Sequence, residues 1–399
     1  MSPLVLLWLI AGCLMLQPLS TDLYLPSLPH LATYFGVSPA VAQQTLSLFV
    51  LGFGAAQLVS GPLSDRYGRR PVMLAGLIVY VLASAACGLA STIPVLVAAR
   101  FVQAVGCCTA IVVARAIVRD VCSPTEGAHL IARASTLLSL APLLGPVAGG
   151  YLQVAFGWRA NFAVMALLCL VLAAAARNSL RETNACPNPA ALRWHGLADS
   201  YARVLRAPAF WAYALPGALS YASIFVFISG SSFVLIDVLG MPTQYYGYCY
   251  AFGVTGYLAG TVVCRRLMIR IGVDRALGVG SAVSLAGGLL FAALVAGGVR
   301  HWSIVPLCQF VVMSAHGINF PCAQAGGVAP FPRQAGAAAG LLGFVTMLAA
   351  LLAGLWVGAS HDGTMQPLAW IACTVNASLF AVARLSAHRR DFATQQDPA

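Results

Sequence analysis

Two charges stand apart in this chain. Of its eleven acidic residues, Asp22 is the one well inside an apolar run, and Asp237 stands near the outer end of another. Of the arginines, Arg100 is the one placed several residues into such a run. Charges in hydrocarbon are costly unless paired, so they mark function. A carboxylate can take up and release a proton, and a permanently charged guanidinium can steer it. Their depths match. Asp22 precedes His30 by about 12 Å of helix and Arg100 follows Pro94 by about 9 Å, at ~1.5 Å per residue. The two face each other or share a cavity. An alternative is that Pro18, Pro26 and Pro29 shorten the helix and leave Asp22 in water at its outer mouth. An intramembrane enzyme would need a nucleophile–base or metal cluster. Intramembrane histidine is limited to His316, with no carboxylate nearby in sequence, and no Cys/His cluster points to a metal, so neither an enzyme nor a metal site is expected.

The elements that must carry these charges follow from composition. The chain has 399 residues, 60% of them hydrophobic and 8% charged, with a mean hydropathy of +0.85. Repeated apolar runs of about 18 residues or more read as membrane-spanning helices. The runs do not alternate as barrel strands would. The spacing predicts twelve spans near 4–28, 41–63, 73–92, 94–117, 130–152, 160–177, 208–232, 245–267, 276–298, 303–325, 334–358 and 366–384. The expected fold is therefore all-α and integral to the membrane, as two pseudo-symmetric six-helix bundles, 1–177 and 208–399. A polar cytoplasmic linker, 178–207, joins them. Within it, Leu197, Tyr201, Val204 and Leu205 could form the apolar face of an interfacial helix; a solvated linker helix is the alternative.

Every basic residue is an arginine. All but Arg100, Arg159 and Arg300 fall in loops on one side if the N-terminus is inside. That bias predicts cytoplasmic termini. The net charge of +11 then reports orientation and contact with anionic lipid, not nucleic-acid binding. The twelve cysteines are scattered, and most lie inside spans. "LIAGC", Leu9 to Cys13, has the look of a lipoprotein cleavage box, but no basic region precedes it.

Three stretches carry a second kind of signal. "GPLSDRYGRRP", Gly61 to Pro71, packs Asp65, Arg66, Arg69 and Arg70 around Gly68 in the turn between spans 2 and 3. Positive-inside sorting explains its arginines but not Asp65. "RFVQAVG" in span 4 contains Arg100 and Gln103. In span 5, "APLLGPVAGG" offers Gly145, Gly149 and Gly150 as a side-chain-free face, with Pro146 favouring a bend. The turn after span 8, "RLMIRIGVDRAL", lays Arg270 on Arg66 and Gly272 on Gly68, with Ile269 where Asp65 sits. The matched spacing favours an internal duplication; basic turns that arose independently after membrane helices are the alternative.

These stretches resemble three signatures of the major facilitator superfamily, in order and in the right spans. "STDLYLPSLP", "ARAIVRD", "GWRANF" and "NFPCAQAGGVAPFPRQAG" are similar to the Bcr/CflA branch, which holds exporters of bicyclomycin, chloramphenicol and florfenicol. The resemblance implies a multi-pass transporter of the bacterial inner membrane that exports a small amphipathic drug in exchange for protons. It would work as a monomer, by alternating access, with the proton gradient in place of a cofactor. Asp22 would carry the proton with Arg100 as its partner. The resemblance also implies a cytoplasmic latch, in which Asp65 faces the start of span 11 near Gln334 to Gly336 and Arg69 pairs with Asp120. The span 5 glycines would gate. Tyr24, Gln103, Tyr221, Phe225, Phe227, Asn319 and Gln324 are polar or aromatic residues within spans. Some should line the substrate cavity, although packing between helices would account for each alone. Export of an endogenous metabolite by the same machinery is the alternative function.

Overall fold

The computed structural model describes residues 3–395, which form two compact units parted between Ala198 and Asp199. Both are built of helices. Eleven helical stretches among the described residues are long and apolar enough to cross a membrane. One of them, Thr243–Ala296, is broken at Gly272, so it supplies two spans and brings the number to twelve.

The first unit runs α1 (Pro3–Asp22), α2 (Leu28–Phe35), α3 (Pro39–Tyr67), α4 (Arg69–Leu89), α5 (Ile93–Val121), α6 (Pro124–Leu138), α7 (Leu140–Phe156) and α8 (Trp158–Ser179). Two expected spans are interrupted. The first stops at Asp22, passes through Leu23 and Tyr24 into a 3-10 turn at Leu25–Ser27, and resumes as α2. Pro26 and Pro29 lack the N–H that an uninterrupted ladder would use. In the fifth, α6 ends at Leu138 and α7 starts at Leu140, with Ser139 at the join. Helix α5 is the hub: it packs on α1, α3 and α4, while α1 also meets α6, α7 and α8. This is why an arginine on α5 can reach the end of α1.

The divide between units falls within α9 (Trp194–Arg206). The second unit continues with α10 (Pro208–Ser232), a π-helical turn at Phe233–Val238, α11 (Thr243–Ala296), α12 (Ile304–Val328), α13 (Ala335–Ala359) and α14 (Gln366–Gln395). Helix α10 packs on α12, α13 and α14, and α11 packs on α12 and α14. Gly272 (φ 79°, ψ 172°) breaks α11 with nearly the backbone conformation that Gly68 (φ 97°, ψ 156°) uses between α3 and α4. Only glycine adopts such angles at little cost. The two arginine-flanked turns matched in sequence thus share one backbone solution.

Candidate functional site

Asp22 is the last residue of α1 and is buried, 4% exposed. Thr21 Oγ1 donates to its Oδ1 at 2.8 Å. The glycine face of α7 lies directly on this helix end. A Cβ at Gly149 would overlap the Leu23 carbonyl oxygen, and one at Gly145 would rest 3.6 Å from the Asp22 Cβ. Pro146 and Gly150 are buried in the same helix. The residues expected to gate and the residue expected to carry the proton are therefore one packed assembly.

Arg100 is fully buried on α5. Its guanidinium donates through Nη2 to the Ser20 carbonyl (2.9 Å), through Nη1 to Gln103 Oε1 (2.6 Å) and through Nε to the Thr45 carbonyl (3.4 Å). The rings of Phe49, Tyr24 and Phe162 stand 4.3, 4.9 and 5.7 Å from it. These oxygens are neutral, so rings and carbonyl dipoles share the solvation of the charge. Arg100 thus reaches the helix of Asp22 through a backbone carbonyl two residues earlier. Gln103 passes the chain on to Ser84 Oγ (2.7 Å), Ser20 Oγ meets Tyr80 OH (2.6 Å), and Tyr24 OH meets Thr45 Oγ1 (2.5 Å). Tyr24 and Gln103, expected in a cavity, are fully buried in this network.

At the other end of the unit, Arg69 is buried in the α3–α4 turn. Nε donates to Asp120 Oδ2 at 2.7 Å, and Nη1 to Asp65 Oδ1 and Ser64 Oγ, each at 2.6 Å. Arg66 is exposed and lies 5.2 Å from the Tyr67 ring centroid. Arg70 Nη2 donates to the Arg177 carbonyl at 3.1 Å, near the end of α8. Glu182, which sequence reading passed over, completes this turn. Its carboxylate accepts the backbone N–H of Arg69 (2.8 Å), Arg70 (3.1 Å), Thr183 (3.0 Å) and Asn184 (2.9 Å). Partial burial pushes this carboxyl up, and the backbone hydrogen bonds outweigh it, so Glu182 titrates below its ordinary value. The available signal was an acid among arginines just past a span.

In the second unit, Tyr221 lies 6.4 Å from Phe225, 5.9 Å from His316 and 6.1 Å from Phe320, measured between ring centroids. Phe225 and Phe227 are fully buried, and Phe227 packs on Phe291. Gln324 is half-buried. His316 is held by Ser220 Oγ at its Nδ1 (2.9 Å). Asn319 is fully buried, with its amide against Gly280 of α11. Asn376, another residue that sequence reading passed over, ties three helices together. Its Oδ1 accepts from Ser223 (2.7 Å) and Ser284, and its Nδ2 donates to the Ala372 carbonyl (2.7 Å).

Two units of apolar helices, with the buried charges Asp22 at a helix end, Arg69 in a turn and Arg100 inside α5, are those of a multi-pass membrane transporter. The Major Facilitator Superfamily model matches residues 10–354, and the chain belongs to that family. The bicyclomycin resistance protein homolog of Haemophilus influenzae is 27% identical over 90% of this chain and 91% of its own. The chloramphenicol resistance protein of Pseudomonas aeruginosa is 31% identical over 70% and 65%. The multidrug resistance protein MdtL of Escherichia coli K12 is 28% identical over 86% of each. Among solved structures, the D-xylose–proton symporter superposes with a TM-score of 0.73 at 15% identity, covering 96% of both chains. A bacterial homolog of the lysosomal transporter Spinster gives 0.69 at 17% identity, covering 100% of this chain and 98% of its own.

Proposed function

We propose that this transporter exports amphipathic drugs from the cytoplasm, each exchanged for protons, by alternating access of its two halves. The observation that carries the reading is the buried carboxyl of Asp22. It closes a broken helix, lies under the glycine face of α7, and stands two residues from the carbonyl held by Arg100. A proton bound there changes the charge at a helix end on which two other helices converge. That gives binding and packing a common switch. The names of the relatives, resistance proteins for bicyclomycin, chloramphenicol and multiple drugs, support a drug as cargo. In this reading the protein sits in the bacterial inner membrane with both termini cytoplasmic and acts as a monomer. Asp65, in the α3–α4 turn, acts as a latch on the cytoplasmic side during the cycle.

Export of an endogenous metabolite would use the same machinery, and a substrate panel separates the two. The test is expression in a drug-sensitive bacterial host stripped of its own exporters. Raised inhibitory concentrations for phenicols, bicyclomycin, fluoroquinolones or cationic dyes, abolished by an uncoupler, are expected. Unchanged susceptibility across the whole panel would favour the metabolite reading.

A further inference from the structure

Helix α4 begins immediately after a glycine. Its first N–H groups have no intrahelical partner, and Gly68 has no side chain to cap them. Both oxygens of Glu182 take that place, Oε1 on Arg69 N and Oε2 on Arg70 N, in the position the helix dipole favours for an anion. On the other side of the same turn, α3 ends with carbonyls in need of donors. The Asp65 carbonyl accepts Asn184 Nδ2 at 3.0 Å and Asn188 N at 2.9 Å. Thr183 Oγ1 adds a contact to Asp120 Oδ2 at 3.4 Å, the oxygen that also holds Arg69. Residues 182–188 therefore bridge the end of one helix and the start of the next. Gly68 is fitted to this arrangement, because a Cβ there would lie 2.5 Å from Glu182 Oε2. The repeated turn in the second unit lacks it: a Cβ at Gly272 would meet nothing within 4 Å.

We infer that residues 182–188 are a clasp on the charged turn, and that Glu182 is a positioning residue for transport, holding Arg69 ready for Asp65 and Asp120. The role in transport rests on the function proposed above; the clasp itself does not. The segment runs on into the chain that joins the two units, so a shift in the α3–α4 turn is passed to the linker, and a pull on the linker is passed to the turn. The first unit carries the clasp because the linker starts there.

Two measurements on the full-length protein decide the matter. Amide hydrogen exchange of the detergent-purified protein reads the clasp directly. Glu182→Ala is expected to speed exchange of the Arg69 and Arg70 amides by about ten- to a hundredfold, with Glu182→Asp recovering part of the protection. Uptake of chloramphenicol by inverted vesicles reads the role. Here kcat should fall severalfold in Glu182→Ala at unchanged KM, and recover in part in Glu182→Asp. If the alanine variant does not insert, Glu182→Gln and Asn184→Ala serve, each expected to give smaller changes of the same sign. Exchange equal to wild type would overturn the clasp. Faster exchange with unaltered kcat would overturn its role in transport. A wild-type protein that moved no drug would sink the transport reading by itself, while the exchange arm would still decide the clasp.

Discussion

Gly149 of α7 sits against the carbonyl oxygen of Leu23, the residue that follows Asp22. There is no room for even a methyl group at that point. Gly149→Ala should therefore force α7 away from the break in α1, at about 1–3 kcal/mol, and remove most resistance. Gly145→Ala should be milder, since its Cβ would find Leu23 N at 3.4 Å, an ordinary contact. Drug susceptibility, normalised to the amount of each variant in the membrane, checks the order.

Asp22→Asn keeps an oxygen for the Thr21 hydroxyl but cannot ionise. The variant should insert and retain drug binding while losing proton-driven uptake in inverted vesicles. Wild-type uptake rates would show that the proton is carried elsewhere.

Arg100→Ala strips donors from the carbonyls of Ser20 and Thr45 and from Gln103 Oε1 at once. A buried acceptor that is left with no donor costs about 1–3 kcal/mol. The alanine variant should show a lower unfolding temperature in detergent and little transport. Arg100→Lys, which keeps the charge but not the planar fork, should fall between it and wild type. Combining Asp22→Asn with Arg100→Ala should be no worse for transport than the poorer single variant if the two act as one unit.

Asp65→Asn leaves Arg69 with Asp120 and Ser64, so folding should survive. In the proposed cycle it loosens the cytoplasmic latch, biases the protein inward-facing and slows turnover. Cysteine accessibility on the two faces, in a background freed of the native cysteines, measures the ratio directly. An unchanged ratio would reduce Asp65 to a partner of Arg69 alone.

Glu182 has a pH signature of known sign. Its folded-state value lies below its unfolded one, so its contribution to stability is complete above the unfolded value, about 4.3. It is lost as pH falls through the lower folded value. The difference in unfolding temperature between wild type and Glu182→Gln should be constant near neutrality and shrink only below about pH 4.3. A difference that shrank between pH 8 and 6 would assign it to another group.

The sequence alone determined the membrane class, the apolar spans and the turn at Gly68. Each follows from local properties: the length of an apolar run, the scarcity of charge within it, a glycine between charges. It also singled out Asp22 and Arg100, because charge in a hydrophobic run is visible one residue at a time. Only the tertiary structure decided what these residues touch. Arg100 is held by the carbonyls of Ser20 and Thr45, and any residue type presents a carbonyl, so no spacing announces that contact. The helix break at Asp22 lies under Gly149, and Glu182 meets the N–H groups of Arg69 and Arg70, more than a hundred residues away in both cases. Such partners are chosen by which helix ends the bundle brings together. Within the membrane, backbone groups freed at a helix break such as that after Asp22 must find some partner without water.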